Sequence, residues 1–143
     1  MRHWYLCWTV AFVLCLSSQA RVAQAGRDDP IERLLDAIAE VESRSDPNAV
    51  GDRGRAIGVY QIHWRYWQDG TRILGMDWPY EDAVDPVRAR QVVRAYLSHY
   101  GQGKSLLDMA RIHNGGPRGH KKEATQNYAR KIEAILRDSA QAS

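Results

Sequence analysis

Cysteine and phenylalanine are nearly missing from this chain: of its 143 residues two are Cys and one is Phe. Both cysteines, Cys7 and Cys15, fall within the first 25 residues. Beyond that stretch the chain has no disulfide and no thiol chemistry, so a packed core must hold it. A long membrane-spanning run is also missing, because the one extended apolar stretch, Trp4 to Leu16, is too short to cross a bilayer comfortably. No fixed-period repeat and no low-complexity tract occurs, which excludes solenoids and disordered tails.

The N-terminal stretch has a basic start at Arg2, the apolar run, and the small-x-small pattern Ala23-Gln24-Ala25. It predicts a secretory signal over residues 1–25, with cleavage after Ala20 as a variant and an uncleaved anchor as the bland reading. Of 20 basic and 17 acidic residues it removes Arg2 and Arg21 and no acid, leaving 18 against 17 and a net charge of +1. A nearly neutral exported chain offers little long-range steering, so no nucleic-acid partner is expected, and no membrane partner after cleavage. The remaining residues, 26–143, suffice for one compact domain.

Asp29-Pro30 reads as an N-cap followed by proline at the first helical position, opening a helix that runs to about Glu42. Residues 44–58 are rich in Asp, Asn, Pro and Gly and read as loop, followed by a short strand over Val59-Tyr60-Gln61-Ile62. A short helix ending at Gly75 and a connecting loop come next. Asp85-Pro86 repeats the cap signature before a core helix that stops at Gly101. Ser105 with Asp108 caps another helix, which ends at Asn114-Gly115-Gly116, and a last helix follows Thr125. The expected architecture is mostly α, with a small β element, in the α+β class.

One acid falls on the wrong side of its helix. At about 100° per residue from Ile31, Leu34, Leu35 and Ile38 cluster within about 60° of zero, and Glu42 falls at about +20°. Glu40 falls at about 180°, where a helical acid meets water. A carboxyl at a helix C-terminus and on its apolar face loses hydration and meets the negative end of the dipole, so its pKa is expected to rise. That suits a general acid. Ten residues on, Asp52 lies between Gly51 and Gly54 in a turn that leaves it solvated. A buried and a solvated acid on adjoining elements form the pair used to cleave glycosidic bonds. Asp46 and Asp69 compete for the second role, although Asp46 is better read as an Asx-turn before Pro47.

The segment "GVYQIHWRYW" supplies Tyr60, Gln61, His63, Tyr66 and Trp67, aromatic faces and polar groups suited to sugar rings. Tyr66 and Trp67 stand evenly between packing and sugar contact, with Trp64 and Trp78 read as structural. His113 and Asn114 are either a helix C-cap or cleft residues. His63, His99, His113 and His120 show no zinc spacing, so neither metal nor cofactor is expected.

Taken together, "EVES", "GDRG", "IGVYQI", "YWQDG", "QVVRAYLSHYG" and above all Ala110 to Gly119, "ARIHNGGPRG", resemble the invertebrate-type lysozymes, also called the destabilase family. A weaker likeness to goose-type lysozymes and lytic transglycosylases lies in Glu42-Ser43 and Gly58-Val59-Tyr60-Gln61. The resemblance implies a lysozyme-like fold with a small β-hairpin beside the catalytic helix, Glu42 as general acid and Asp52 as its partner. It implies peptidoglycan as substrate and favours Gln61, His113 and Asn114 as cleft residues; Ser43, Tyr60, Tyr66 and Trp67 complete the expected substrate-binding set. Members are usually rich in disulfides, and this chain departs from them there, which fits a bacterial exported protein. Some members have an isopeptidase activity, for which no Ser-His pair is assigned here. The expected function is an exported muramidase, with a lytic transglycosylase or a silent wall- or chitin-binding module as alternatives.

Overall fold

The computed structural model describes residues 29–141; the expected signal lies outside them. The chain divides into two compact units, residues 1–33 and 34–143. In the first, the Asp29 carboxylate accepts a hydrogen bond from the Ile31 amide at 3.1 Å, the cap that the sequence announces. Helix α1 spans Pro30–Ser43.

The second unit holds the core and the site. The buried core comprises Leu34, Leu35 and Ile38 of α1, Trp67 of α2 (Trp64–Leu74), Val92, Val93 and Leu97 of α3 (Pro86–Tyr100), Ile112 of α4 (Leu106–Gly115) and Ile132 of α5 (Gln126–Gln141). Each such aliphatic side chain contributes about 1.5–3 kcal/mol by leaving water. Asp85 caps α3 by accepting from the Val87 and Arg88 amides at 2.8 and 3.2 Å. Ser105 caps α4 by accepting from the Asp108 amide at 3.1 Å. α2 stops at Gly75 in the left-handed region, and α3 stops at Gly101, both as the glycines predict.

Between α1 and α2 the expected loop contains β-structure. Strands β1 (Val50–Gly51), β2 (Ala56–Ile57) and β3 (Ile62–His63) form an antiparallel sheet in that order, pairing Gly51 with Ala56 and Ala56 with His63. The strand expected over Val59–Ile62 is instead a turn that leaves only Ile62 extended. The Gln61 amide donates to the Gly58 carbonyl at 3.0 Å, and Gln61 itself sits at φ 46°. Gly58 sits at φ 75° against the Ala83 carbonyl, in space a Cβ would overlap. Alternation cannot register that tertiary fit, so the strand signal overran the turn. Among the described residues no helix is long and apolar enough to cross a membrane.

Candidate active site

α1 delivers Glu42 to the site and then ends abruptly. Arg44 and Ser45 both take left-handed backbone, φ 55° and 61°, while their amides donate to the Glu40 and Ala39 carbonyls at 3.0 and 3.1 Å. Such conformations cost non-glycine residues of order 1–3 kcal/mol each, so the surrounding structure must hold them. One clamp is Ser43, whose hydroxyl donates to the Val59 carbonyl at 2.8 Å and ties the helix end to the turn before β3.

Glu42 is 19% exposed, and its Oε1 lies 3.5 Å from His113 Nε2 at the end of α4. His113 is buried, and its Nδ1 is 3.2 Å from the Tyr66 hydroxyl. Tyr66 in turn stacks on Tyr96 with ring centroids 3.8 Å apart. From α5, the buried Tyr128 hydroxyl acts on the same carboxylate, although it makes no full hydrogen bond among the described residues. Burial pushes the Glu42 pKa up, as expected, but His113, Tyr128 and the more distant His63 outweigh it and leave the pKa lowered. This corrects the expectation of a raised value: the deciding groups come from α4, α5 and β3, beyond the reach of a helical-wheel argument. Burial and the Glu42 charge raise Tyr128, and burial raises Tyr66 first, with Tyr96 adding to it.

Asp52 opens the tight turn Asp52–Gly54 between β1 and β2, with Asp52 and Arg53 both left-handed at φ 46° and 57°. Its carboxylate is 2.8 Å from Arg55 and 3.6 Å from His63 Nε2, and it is 43% exposed, the solvated setting the sequence suggested. Glu42, Asp52, Gln61, His63, Tyr66 and His113 line one cleft of about 280 Å³. Through His63, Tyr66, His113 and Asn114 it continues into a wider arm of about 580 Å³, walled by Trp64, Arg65, Gln68 and Pro117.

The other expected cleft residues divide. Asn114 is exposed and borders both parts of the cleft. Gln61 borders the first part, with its Nε2 donating to the Ala49 and Gly58 carbonyls at 3.1 and 3.0 Å; its Oε1 occupies the space a Cβ on Gly51 would need. Ser43 spends its hydroxyl on the backbone, as described. Tyr60 is 2% exposed, and its hydroxyl accepts from Arg90 at 3.2 Å, so it belongs to the core. Trp67 is 1% exposed and donates its Nε1–H to the Trp78 carbonyl at 2.9 Å, whereas Trp64, expected to be structural, is 52% exposed. In α2 Trp67, Gly70 and Thr71 face inward while Trp64, Gln68 and Arg72 are exposed; residues three apart share a side of the helix, so the helical period alone does not separate the two tryptophans, and Trp64 stands at the first residue of the helix. Asp46 works locally, accepting from the Asn48 amide at 2.9 Å. Asp69 is taken up by Arg72 and by Tyr100, whose hydroxyl donates to it at 2.5 Å. Two further groups meet the site. The place of His63 after the buried Ile62 on β3 was a legible sign that it faces outward, whereas Tyr128 gave only a core stripe.

A carboxyl at the end of a core helix, overlooking a three-stranded sheet and an open cleft, is the layout of a lysozyme-type glycosidase. The destabilase family profile matches residues 32–135. The chain belongs to the destabilase family. It is 31% identical over 126 residues to lysozyme 1 of Crassostrea virginica, covering 84% of this chain and 67% of that one. Invertebrate-type lysozyme 6 of Caenorhabditis elegans is 32% identical over 118 residues, 71% of this chain and 83% of its own. The fold matches the crystal structure of Aeromonas hydrophila PliI in complex with Meretrix lusoria lysozyme, with a TM-score of 0.60 and 33% identity over 72% of this chain and 88% of that one.

Proposed function

We propose that the protein is an exported muramidase, cleaving the β-1,4 bond between N-acetylmuramic acid and N-acetylglucosamine in peptidoglycan. The observation that carries this reading is the meeting of Glu42 and Asp52 in one cleft, from two elements that strained backbone fixes in place. Glu42 is partly buried and carries the proton to the glycosidic oxygen; Asp52, solvated and facing the same space, stabilises the developing oxocarbenium ion or bonds to it. Exposed Trp64 and Asn114 along the arm suit sugar rings and their N-acetyl groups. Export through the N-terminal signal would bring the enzyme to its polymer.

A second reading, a lytic transglycosylase with Glu42 as sole acid and base, draws support from the hold of Arg55 on Asp52. Mass spectrometry of digested peptidoglycan separates the two. Hydrolysis leaves reducing N-acetylmuramic acid ends and makes Asp52→Asn severely defective, by at least about a hundredfold for loss of a catalytic carboxylate. Predominantly anhydro ends, one water lighter, with Asp52→Asn nearly unimpaired, would replace hydrolase by transglycosylase. Retention on the wall without cleavage would make it a binding module.

A further inference from the structure

The environment of Glu42 poses a chemical problem that the surrounding residues answer. A general acid must hold a proton when its substrate arrives, yet this carboxyl is made more acidic by its neighbours. The neighbour in direct line is an imidazole whose two nitrogens face two different groups: Nε2 lies 3.5 Å from Glu42 and Nδ1 lies 3.2 Å from the Tyr66 hydroxyl. Tyr66 is anchored by its stack on Tyr96 from α3, and the His113 ring lies edge-on to Tyr66 and face to face with Tyr128. The titratable groups facing this pair are Tyr66 from α2 and Tyr128 from α5, with His63 from β3 on the Glu42 side, next to Asp52. None of them is a fixed cation.

We propose that His113 is the proton-holding partner of Glu42: it acts through that carboxyl, as a positioning residue, storing the proton that Glu42 delivers to the glycosidic oxygen. The inference rests on the reading of Glu42 as the general acid. When the pair holds its proton, that proton sits on the imidazole beside the carboxylate, so that Nδ1–H donates to the Tyr66 oxygen and Nε2–H is directed at Glu42. Sugar entering the cleft displaces water, and a drier surrounding disfavours two separated charges relative to two neutral groups. The proton then passes from Nε2 to the Glu42 carboxylate, and from there to the leaving oxygen as the glycosidic bond breaks. When water attacks the anomeric carbon, Glu42 takes one of its protons and returns it to Nε2, so each turnover closes with one water consumed. The Tyr66 hydroxyl suits both tautomers, since it accepts from Nδ1–H and donates to a bare Nδ1.

The test is the pH profile of kcat/KM on peptidoglycan for the parent, His113→Gln, Tyr66→Phe and Glu42→Gln. Glutamine can still donate a hydrogen bond to Glu42 but holds no titratable proton. Its alkaline limb is expected to move at least about one pH unit toward acid, with roughly a tenfold loss at neutral pH and much less near pH 5. Tyr66→Phe keeps the stack on Tyr96 and should move the limb the same way by less. In case His113→Gln does not fold, the His113 ring nitrogens are titrated by NMR in the parent and in Glu42→Gln, where loss of the carboxylate should lower the midpoint. A uniform loss of activity with an unshifted profile in His113→Gln, or an unchanged His113 midpoint in Glu42→Gln, overturns the inference. If Glu42→Gln stays inactive in either case, the general-acid reading survives; if Glu42→Gln is fully active, both fall.

Discussion

Trp64 and Trp67 stand three residues apart on one helix and meet opposite surroundings, one lining the open arm of the cleft, the other sealed in the core beneath it. Trp67→Ala should cost about 3–5 kcal/mol, because it opens a cavity and removes the bond to the Trp78 carbonyl. Trp64→Ala should leave stability within about 0.5 kcal/mol and weaken substrate binding on the order of 1 kcal/mol. Thermal unfolding and KM measured on the two variants check this, and a large loss of stability in Trp64→Ala with unchanged KM contradicts it. The composition of "HWRYW" pointed to a region suited to sugar rings without saying which ring faces the cleft. The helical period does not make that choice, since residues three apart share a face; Trp64 stands at the first residue of α2, directly after β3 ends at His63, and Trp67 one turn further in. The inward angle of Glu42 was legible from four apolar positions, whereas the direction of its pKa was not, since the imidazole and phenol that decide it sit far along the chain.

The elements most legible in the sequence are those with chemically explicit ends. Asp29-Pro30, Asp85-Pro86 and Ser105 each satisfy backbone amides through a side chain of their own, so the signal is local. Asp85→Ala should therefore destabilise the protein by about 1 kcal/mol, read as a drop in the unfolding midpoint, with activity per folded molecule unchanged. No measurable change would show that the two amides are equally satisfied by water. The β-sheet was the least legible element: its strands are two residues long, and their boundaries are set by left-handed Asp52, Arg53 and Gln61. The conformation of Gln61 goes with tertiary demands, the fit of Gly58 under Ala83 and the bonds from the Gln61 side-chain amide to the Ala49 and Gly58 carbonyls. Sequence composition therefore identified a turn carrying an acid, and the three-stranded sheet that aims it emerged only in the fold.

At the scale of the molecule, a core built without disulfides among its described residues brings the ends of α1 and α4, the phenols of α2 and α5, and the turn after β1 to one cleft. Gly119 contributes from a distance: it packs directly on the Arg111 carbonyl, where a Cβ would not fit, and the Thr125 hydroxyl donates to the Gly119 carbonyl at 2.8 Å, which closes the end of α4 onto the start of α5. Family membership was legible in the run from Ala110 to Gly119, and this packing gives the glycine there a physical reason. On the proposed function, this convergence makes Glu42, and no other acid of α1, the proton donor. The most direct measurement compares the rate of peptidoglycan lysis by Glu42→Gln, Glu40→Gln and the parent, with melting temperatures taken on the same samples. Glu42→Gln is expected to lose at least about a hundredfold in rate while remaining folded, and Glu40→Gln, on the exposed face, to match the parent. Lysis by folded Glu42→Gln at the parent rate would contradict the account.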